Sequence, residues 1–211
     1  YKTNVDLWKL YSDIYYKQYL TNNDINYYKN SIAACKKGIE YVKISESSLL
    51  WENMINIACN ELNNDSHFTQ KHQLNVIHNI YQQSIIHCSK NDTLKDNYLK
   101  WIKECKHNSN TMKWNTIQWF IRNVVSISPA IYKIIVDISM TILKNKDYKQ
   151  IKNIFEKGIS EHGKHSSDIW YWYSNFSRKY LSVQESSQIH QRALRTLKTN
   201  ELNEFLSKTK T

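Results

Sequence analysis

Large apolar residues recur along this chain three positions apart, in the pairs Trp8/Tyr11, Trp51/Met54, Tyr98/Trp101, Tyr132/Ile135 and Trp170/Tyr173. An i, i+3 pair shares one face of an α-helix, so each pair marks a helix with a buried stripe. A second kind of block follows each pair. It opens on Ala34, Ile80, Ile117, Ile154 and Ile189 and carries Gly38, Ser84, Ile121, Gly158 and Ala193 at its fifth position. Four of those five are small, as a close helix crossing requires of the residue beneath the partner backbone, and Ile121 makes the third copy irregular.

The blocks are spaced regularly. Ile189 lies 35 positions beyond Ile154, while Ile117 and Ile80 precede it at steps of 37, and Ala34 follows a longer step of 46. Such a period is expected when each unit is a pair of helices stacked on the next. The expected fold is therefore all-α: an α-solenoid of stacked antiparallel helix pairs, about five repeats with a C-terminal capping helix. The predicted units cover approximately 4–41, 48–88, 92–126, 128–162 and 166–197, with the cap at 199–209, as one domain.

Local signals place the boundaries. Asp24 is a plausible N-cap, Ser45 to Ser48 reads as a turn, and 63–68 as a polar connection before a long helix from about Gln70 to Cys88. Asn108-Ser109-Asn110 interrupts the third unit. Ser128-Pro129 opens the fourth, since Ser caps and Pro is tolerated at the first helical position. In that unit the first helix is expected to run to about Lys144 and the second to start at Asp147, and His162-Gly163 reads as a glycine C-cap.

Composition supports helices. The chain has 211 residues with 3 Gly and 1 Pro, too little punctuation for many β-turns. No apolar run approaches the roughly 20 residues of a membrane span, so no membrane contact is expected. The sequence opens on Tyr1 rather than Met, which suggests a piece of a longer polypeptide. Cys35, Cys59, Cys88 and Cys105 show no C-x-x-C spacing and read as reduced thiols of the cytoplasm or nucleus. Three sequons, at Asn64, Asn91 and Asn175, are what an Asn-rich chain yields by chance. The net charge of +10 carries less information than usual, because abundant Asn, Ile, Lys and Tyr suggests a codon bias that inflates Lys.

A search for catalytic chemistry gives nothing that converges. His162 and His165 stand beside Glu161, but Gly163 and Lys164 put them in a helix-ending loop better read as solvated than as a metal corner. His87-Cys88 imitates a nucleophile pair, yet neighbours on a helix point about 100° apart and do not easily hydrogen-bond. There is no glycine-rich phosphate loop and no H-E-x-x-H. The expectation is a protein that is not an enzyme, with no catalytic or metal residues, no cofactor and no small-molecule substrate. Two basic stripes, Lys100/Lys103/Lys106 and Arg192/Arg195/Lys198, read first as solvated faces and second as RNA contacts. Trp172 falls off the inward stripe between Trp170 and Tyr173 and is a candidate exposed binding anchor.

Asp168-Ile169-Trp170-x-x-Tyr173 and Ile189-His190-Gln191-Arg192-Ala193-Leu194 resemble the half-a-TPR, or HAT, repeat. Its first helix carries Trp-x-x-Tyr and its second an Arg-Ala-Leu type motif. Residues that match are Trp8, Tyr11, Trp51, Trp170, Tyr173, Arg192, Ala193 and Leu194. The specific match covers roughly the last sixty residues, and the earlier units support only the general class. The resemblance implies a nuclear scaffold that acts through protein contacts. Nearest in pattern are the HAT scaffolds of ribosome biogenesis, in the nucleolus and beside WD-repeat propeller proteins. Scaffolds of splicing or 3′-end processing, or a basic RNA-binding module, are the alternatives.

Overall fold

The computed structural model describes residues 2–63, 69–143 and 148–210. Among them are eleven helices and no strand: α1 (Val5–Asn22), α2 (Ile25–Tyr41), α3 (Ile44–Asn63), α4 (Gln70–His87), α5 (Asp92–Glu104), α6 (Asn110–Asn123), α7 (Pro129–Ile142), α8 (Tyr148–His162), α9 (Ser167–Tyr180), α10 (Val183–Thr196) and α11 (Thr199–Thr209). Of the predicted connection at 63–68, Asn63 is the last residue of α3, and the rest, with the sequon at Asn64 and the join at 144–147, lies outside the described residues. None of the helices is long and apolar enough to cross a membrane.

Side-chain caps start many of these helices, because the first N–H groups of a helix have no partner within it. Asn4, Asp24, Thr69, Ser109 and Ser166 each accept a bond from the first turn of the helix that follows. Ser182 and Glu185 form a reciprocal capping box on α10.

Four local expectations need correction. Ser45 to Ser48 is not a turn but the start of α3, whose first turn closes on the Lys43 carbonyl through Glu46 and Ser47 N–H. Ser128 precedes Pro129 without making a side-chain cap bond. Helix α6 stops at Asn123 rather than near Ser126, which takes a left-handed conformation at φ 58°. Gly163 does not have positive φ; a Cβ there would stand 2.6 Å from the Ile159 carbonyl oxygen, so glycine is needed for space, not for a left-handed turn.

The chain divides into two compact units, Tyr1–Lys100 and Trp101–Thr211. In the first, α1 packs on α2, α2 on α3 and α3 on α4, while α1 also touches α3. Tyr98 of α5 joins this core by stacking on Tyr81 at 4.6 Å and hydrogen-bonding His78 at 2.8 Å. In the second unit α6 packs on α7, α7 on α8, α8 on α9 and α9 on α10, with further contacts of α7 to α9 and of α9 to α11. From α1 to α4 in the first unit and from α6 to α10 in the second, each helix thus rests on the next in the sequence, α11 returns to α9, and odd-numbered helices also meet in both units.

Ala34, Ile80, Ile117, Ile154 and Ile189, the opening residues of the recurrent block, fall on α2, α4, α6, α8 and α10, and all are buried. Gly38, Ser84, Gly158 and Ala193 are buried too, whereas Ile121 is only half-buried. The reason for the small residue is visible in each unit. A Cβ on Gly38 would meet Trp8 and Leu50 at 2.7 Å, and one on Gly158 would collide with Ile169 and crowd Tyr132.

Candidate protein-interaction surfaces

Most signature residues form packing rather than an exposed site. Trp51, Met54, Tyr98, Trp170, Tyr173, Gly158 and Ala193 are buried, while Trp8 and Trp101 are half-buried. Trp8 donates its indole N–H to the Lys2 carbonyl at 2.8 Å and stacks on Tyr41. Tyr11 is the correction: it is exposed, and its hydroxyl shares a hydrogen bond with Tyr15 at 2.9 Å. Its place on the signature face does not bury it, since no helix covers that side of α1 among the described residues.

The C-terminal signature residues converge on one carboxylate. Arg192 of α10 donates both guanidinium N–H groups to the two oxygens of Glu156 on α8, each at 2.8 Å, and Tyr173 of α9 donates to the same side chain at 2.9 Å. The guanidinium lies 5.6 Å from the Trp170 ring, whose indole N–H bonds the Gly163 carbonyl at 2.8 Å. Three successive helices are therefore joined through Glu156. The Arg192 bonds hold the Glu156 carboxyl below its ordinary value despite partial burial, and burial together with the Glu156 bond pushes the Tyr173 phenol up. A planar fork on a carboxylate is the stronger kind of surface ion pair.

This arrangement corrects the basic stripe Arg192/Arg195/Lys198. Arg192 is engaged within the fold, and Lys198 lies beyond α10 as the residue before α11, its N–H facing the Lys164 carbonyl at 3.4 Å. Arg192 is itself exposed but is taken up by Glu156, which leaves Arg195 as the exposed member of the stripe on α10 outside that pair. The stripe Lys100/Lys103/Lys106 is also broken, because α5 ends at Glu104 and Lys106 sits in the turn that follows. Lys100 pairs with Asp96 at 2.7 Å, while Lys103 is exposed.

Trp172 is half-buried rather than fully exposed. It lines a groove of about 460 Å³ between α7 and α9, with Val136 and Met140 on one wall and Phe176 and Tyr180 on the other. Lys133, Asp137 and Lys179 edge the groove, and Lys133 pairs with Asp137. A mostly apolar trough with charged rims suits a protein side chain better than a phosphate.

His87 and Cys88 do meet, contrary to expectation. Cys88 leaves the helix as its C-cap, at φ −103° and ψ 52°, which brings its Sγ to 3.8 Å from His87 Nδ1. Trp51 donates its indole N–H to that same nitrogen at 3.4 Å, and Ser47 Oγ lies 3.4 Å from both His87 Nδ1 and Cys88 Sγ. Cys88 is buried, so the cluster ties α3 to the end of α4 without offering a thiol to a substrate. His162 is not a solvated loop residue either. It is half-buried at the end of α8 and donates Nε2–H to the Ile127 carbonyl at 2.6 Å. None of the four cysteines is in a disulfide, and no group of three metal-ligating side chains stands together among the described residues.

The fold and its packed signature define an all-helical protein whose successive helices pack in sequence order. No protein-family model matches the sequence, and no curated protein matches it.

Proposed function

We propose that the chain is a non-catalytic HAT-type helical-repeat scaffold that holds protein subunits together during small-subunit pre-ribosomal RNA processing and assembly, in the nucleolus. The observation that carries the reading is the Trp170, Tyr173, Arg192 cluster around Glu156: signature residues of one repeat grip the helix before it, which is how a repeat array transmits rigidity. The choice of member rests on residues. Phe155-Glu156-Lys157-Gly158-Ile159, Ser167-Asp168-Ile169-Trp170 and Arg192-Ala193-Leu194 look most like the C-terminal part of small nucleolar RNA-associated protein 6, the HAT subunit of the small-subunit processome. That resemblance implies WD-repeat propeller proteins as neighbours, with RNA contact secondary. The apolar groove at Trp172 and the internal engagement of Arg192 favour protein over RNA as the bound class.

Affinity purification of the protein from its own cells, followed by mass spectrometry, tests this. Pre-ribosomal and propeller proteins should co-purify, and a fluorescent fusion should concentrate in nucleoli. Splicing or cleavage factors in their place, with exclusion from nucleoli, would overturn it.

A further inference from the structure

Helices α10 and α11 both pack on α9, and the wedge between them stays open as a hollow of about 760 Å³. Its lining carries charge of one sign. Arg178 of α9, His190 of α10 and Lys210 at the end of α11 bring basic groups to it, and no carboxylate lines it among the described residues. Elsewhere in this unit cations that bridge helices meet acids, as Arg192 meets Glu156, Lys152 meets Glu185 and Lys208 meets Asp168. Arg178 donates instead to the neutral amide oxygen of Asn175 at 2.7 Å, a partner that leaves its charge unmet.

A buried donor stands beside these cations. Ser174 also lines the hollow and is 2% exposed, yet its Oγ has no hydrogen-bond partner within the fold. Buried hydroxyls ordinarily find a partner, so this one is left for something the fold does not supply. Ser187 and Gln191 add exposed polar groups, and Leu181, Leu194 and Leu206 complete the wall with apolar surface.

We propose that this cleft holds a small organic anion, with a carboxylate or phosphate head bonded by Arg178, Lys210 and Ser174 and an aliphatic body along Leu194 and Leu206. Size selects such a ligand over a further helix, whether of this polypeptide or of another. A helix is about 10 Å across and climbs about 5.4 Å per turn, so the hollow takes only about two turns. Its chemistry selects in the same direction, because the residues on which α9 receives α8, Ile169, Tyr173 and Phe176, are buried and apolar or aromatic. The ligand is held rather than transformed, and it binds whether or not the chain is a scaffold.

Hexyl phosphate, hexanoate and hexanol, titrated into the intact chain, are the probes, followed through the methyl resonances of Leu181, Leu194 and Leu206. The two anions should move these saturably and hexanol at equal concentration should not, and the tighter anion identifies the head. Ser174→Ala should weaken that anion roughly tenfold, the worth of one hydrogen bond to a charged group, while raising the melting temperature of the free protein by deleting an unpaired hydroxyl. Arg178→Gln should weaken it by a similar factor with the melt unchanged, since Arg178 is exposed. Lys149→Gln, at an exposed cation of α8 outside the cleft, should change neither. Hexanol binding as tightly as the anions, no saturable shift with either anion, or undiminished affinity in Ser174→Ala would each overturn the proposal.

Discussion

Trp170 and Trp172 are two positions apart and do different work. Trp170 is fully buried and bonds the Gly163 carbonyl, whereas Trp172 lines an open groove. Trp170→Ala should cost about 3–5 kcal/mol in denaturant unfolding, and Trp172→Ala less than about 2 kcal/mol. Equal losses would remove the distinction between packing and surface. Gly38 poses a sharper test, because alanine gains up to about 1 kcal/mol in a helix interior. Here its Cβ would meet the Trp8 Cβ at 2.8 Å as well as the end of Leu50. The base of Trp8 is fixed by its own helix, so Gly38→Ala should be a net loss of about 1–3 kcal/mol by thermal melting. Tyr11→Ala should lower the melting temperature far less than Trp170→Ala, since that ring is exposed and gives up chiefly its contact with Tyr15.

At the scale of elements, carboxylates bridge helices in the second unit. Lys152 of α8 pairs with Glu185 of α10, and Lys208 of α11 with Glu204 and with Asp168 of α9. Bonds from Arg192, Lys152 and Lys208 hold Glu156, Glu185 and Glu204 below their ordinary values. A carboxyl whose folded value is lowered adds stability above its unfolded value, about 4.3, and that stability fades as pH falls through the folded values. Urea midpoints should therefore be flat near neutrality and drop below about pH 4. Glu156→Gln should lower the neutral midpoint and flatten the acid limb, and an unchanged acid limb would show that Glu156 is not among the groups that titrate it.

Helix identity was legible in the sequence where caps and period agreed, as with Asp24 and the block from Ile154 to Gly158. It was illegible where burial depends on a neighbour. Tyr11 has the same local pattern as Tyr173, and only the helix seated on α9 but not on α1 separates them. Ser45 to Ser48 reads as a turn by composition, yet the cluster suits a first helical turn equally well, and Ser47 is buried against His87 and Cys88. The lysine stripe failed because spacing carries no stop signal: nothing like Gly or Pro marks the end of α5 at Glu104.

For the whole molecule, the net charge of +10 bears on the alternative of RNA contact, since a basic surface attracts a polyanion at low salt. The internal engagement of Arg192 predicts how this attraction is distributed. In fluorescence anisotropy over a salt series, Arg195→Ala should reduce the slope of log affinity against log salt by up to about one unit, the share of a single phosphate contact. Arg192→Ala should instead lower the melting temperature and leave the slope alone. A slope change for Arg192→Ala with an unaltered melt would reverse these roles.

Helix α11 matters when the protein is crowded. Its Phe205 is buried near His190 of α10, and Lys208 fastens it to α9 through Asp168. Without α11, the surface of α9 and α10 that Phe205 now covers would stand open as an apolar patch, and such patches draw like molecules together. By sheathing it, α11 removes that route to association, so trimming the chain after Leu197 should turn clear concentrated solutions into ones that scatter light.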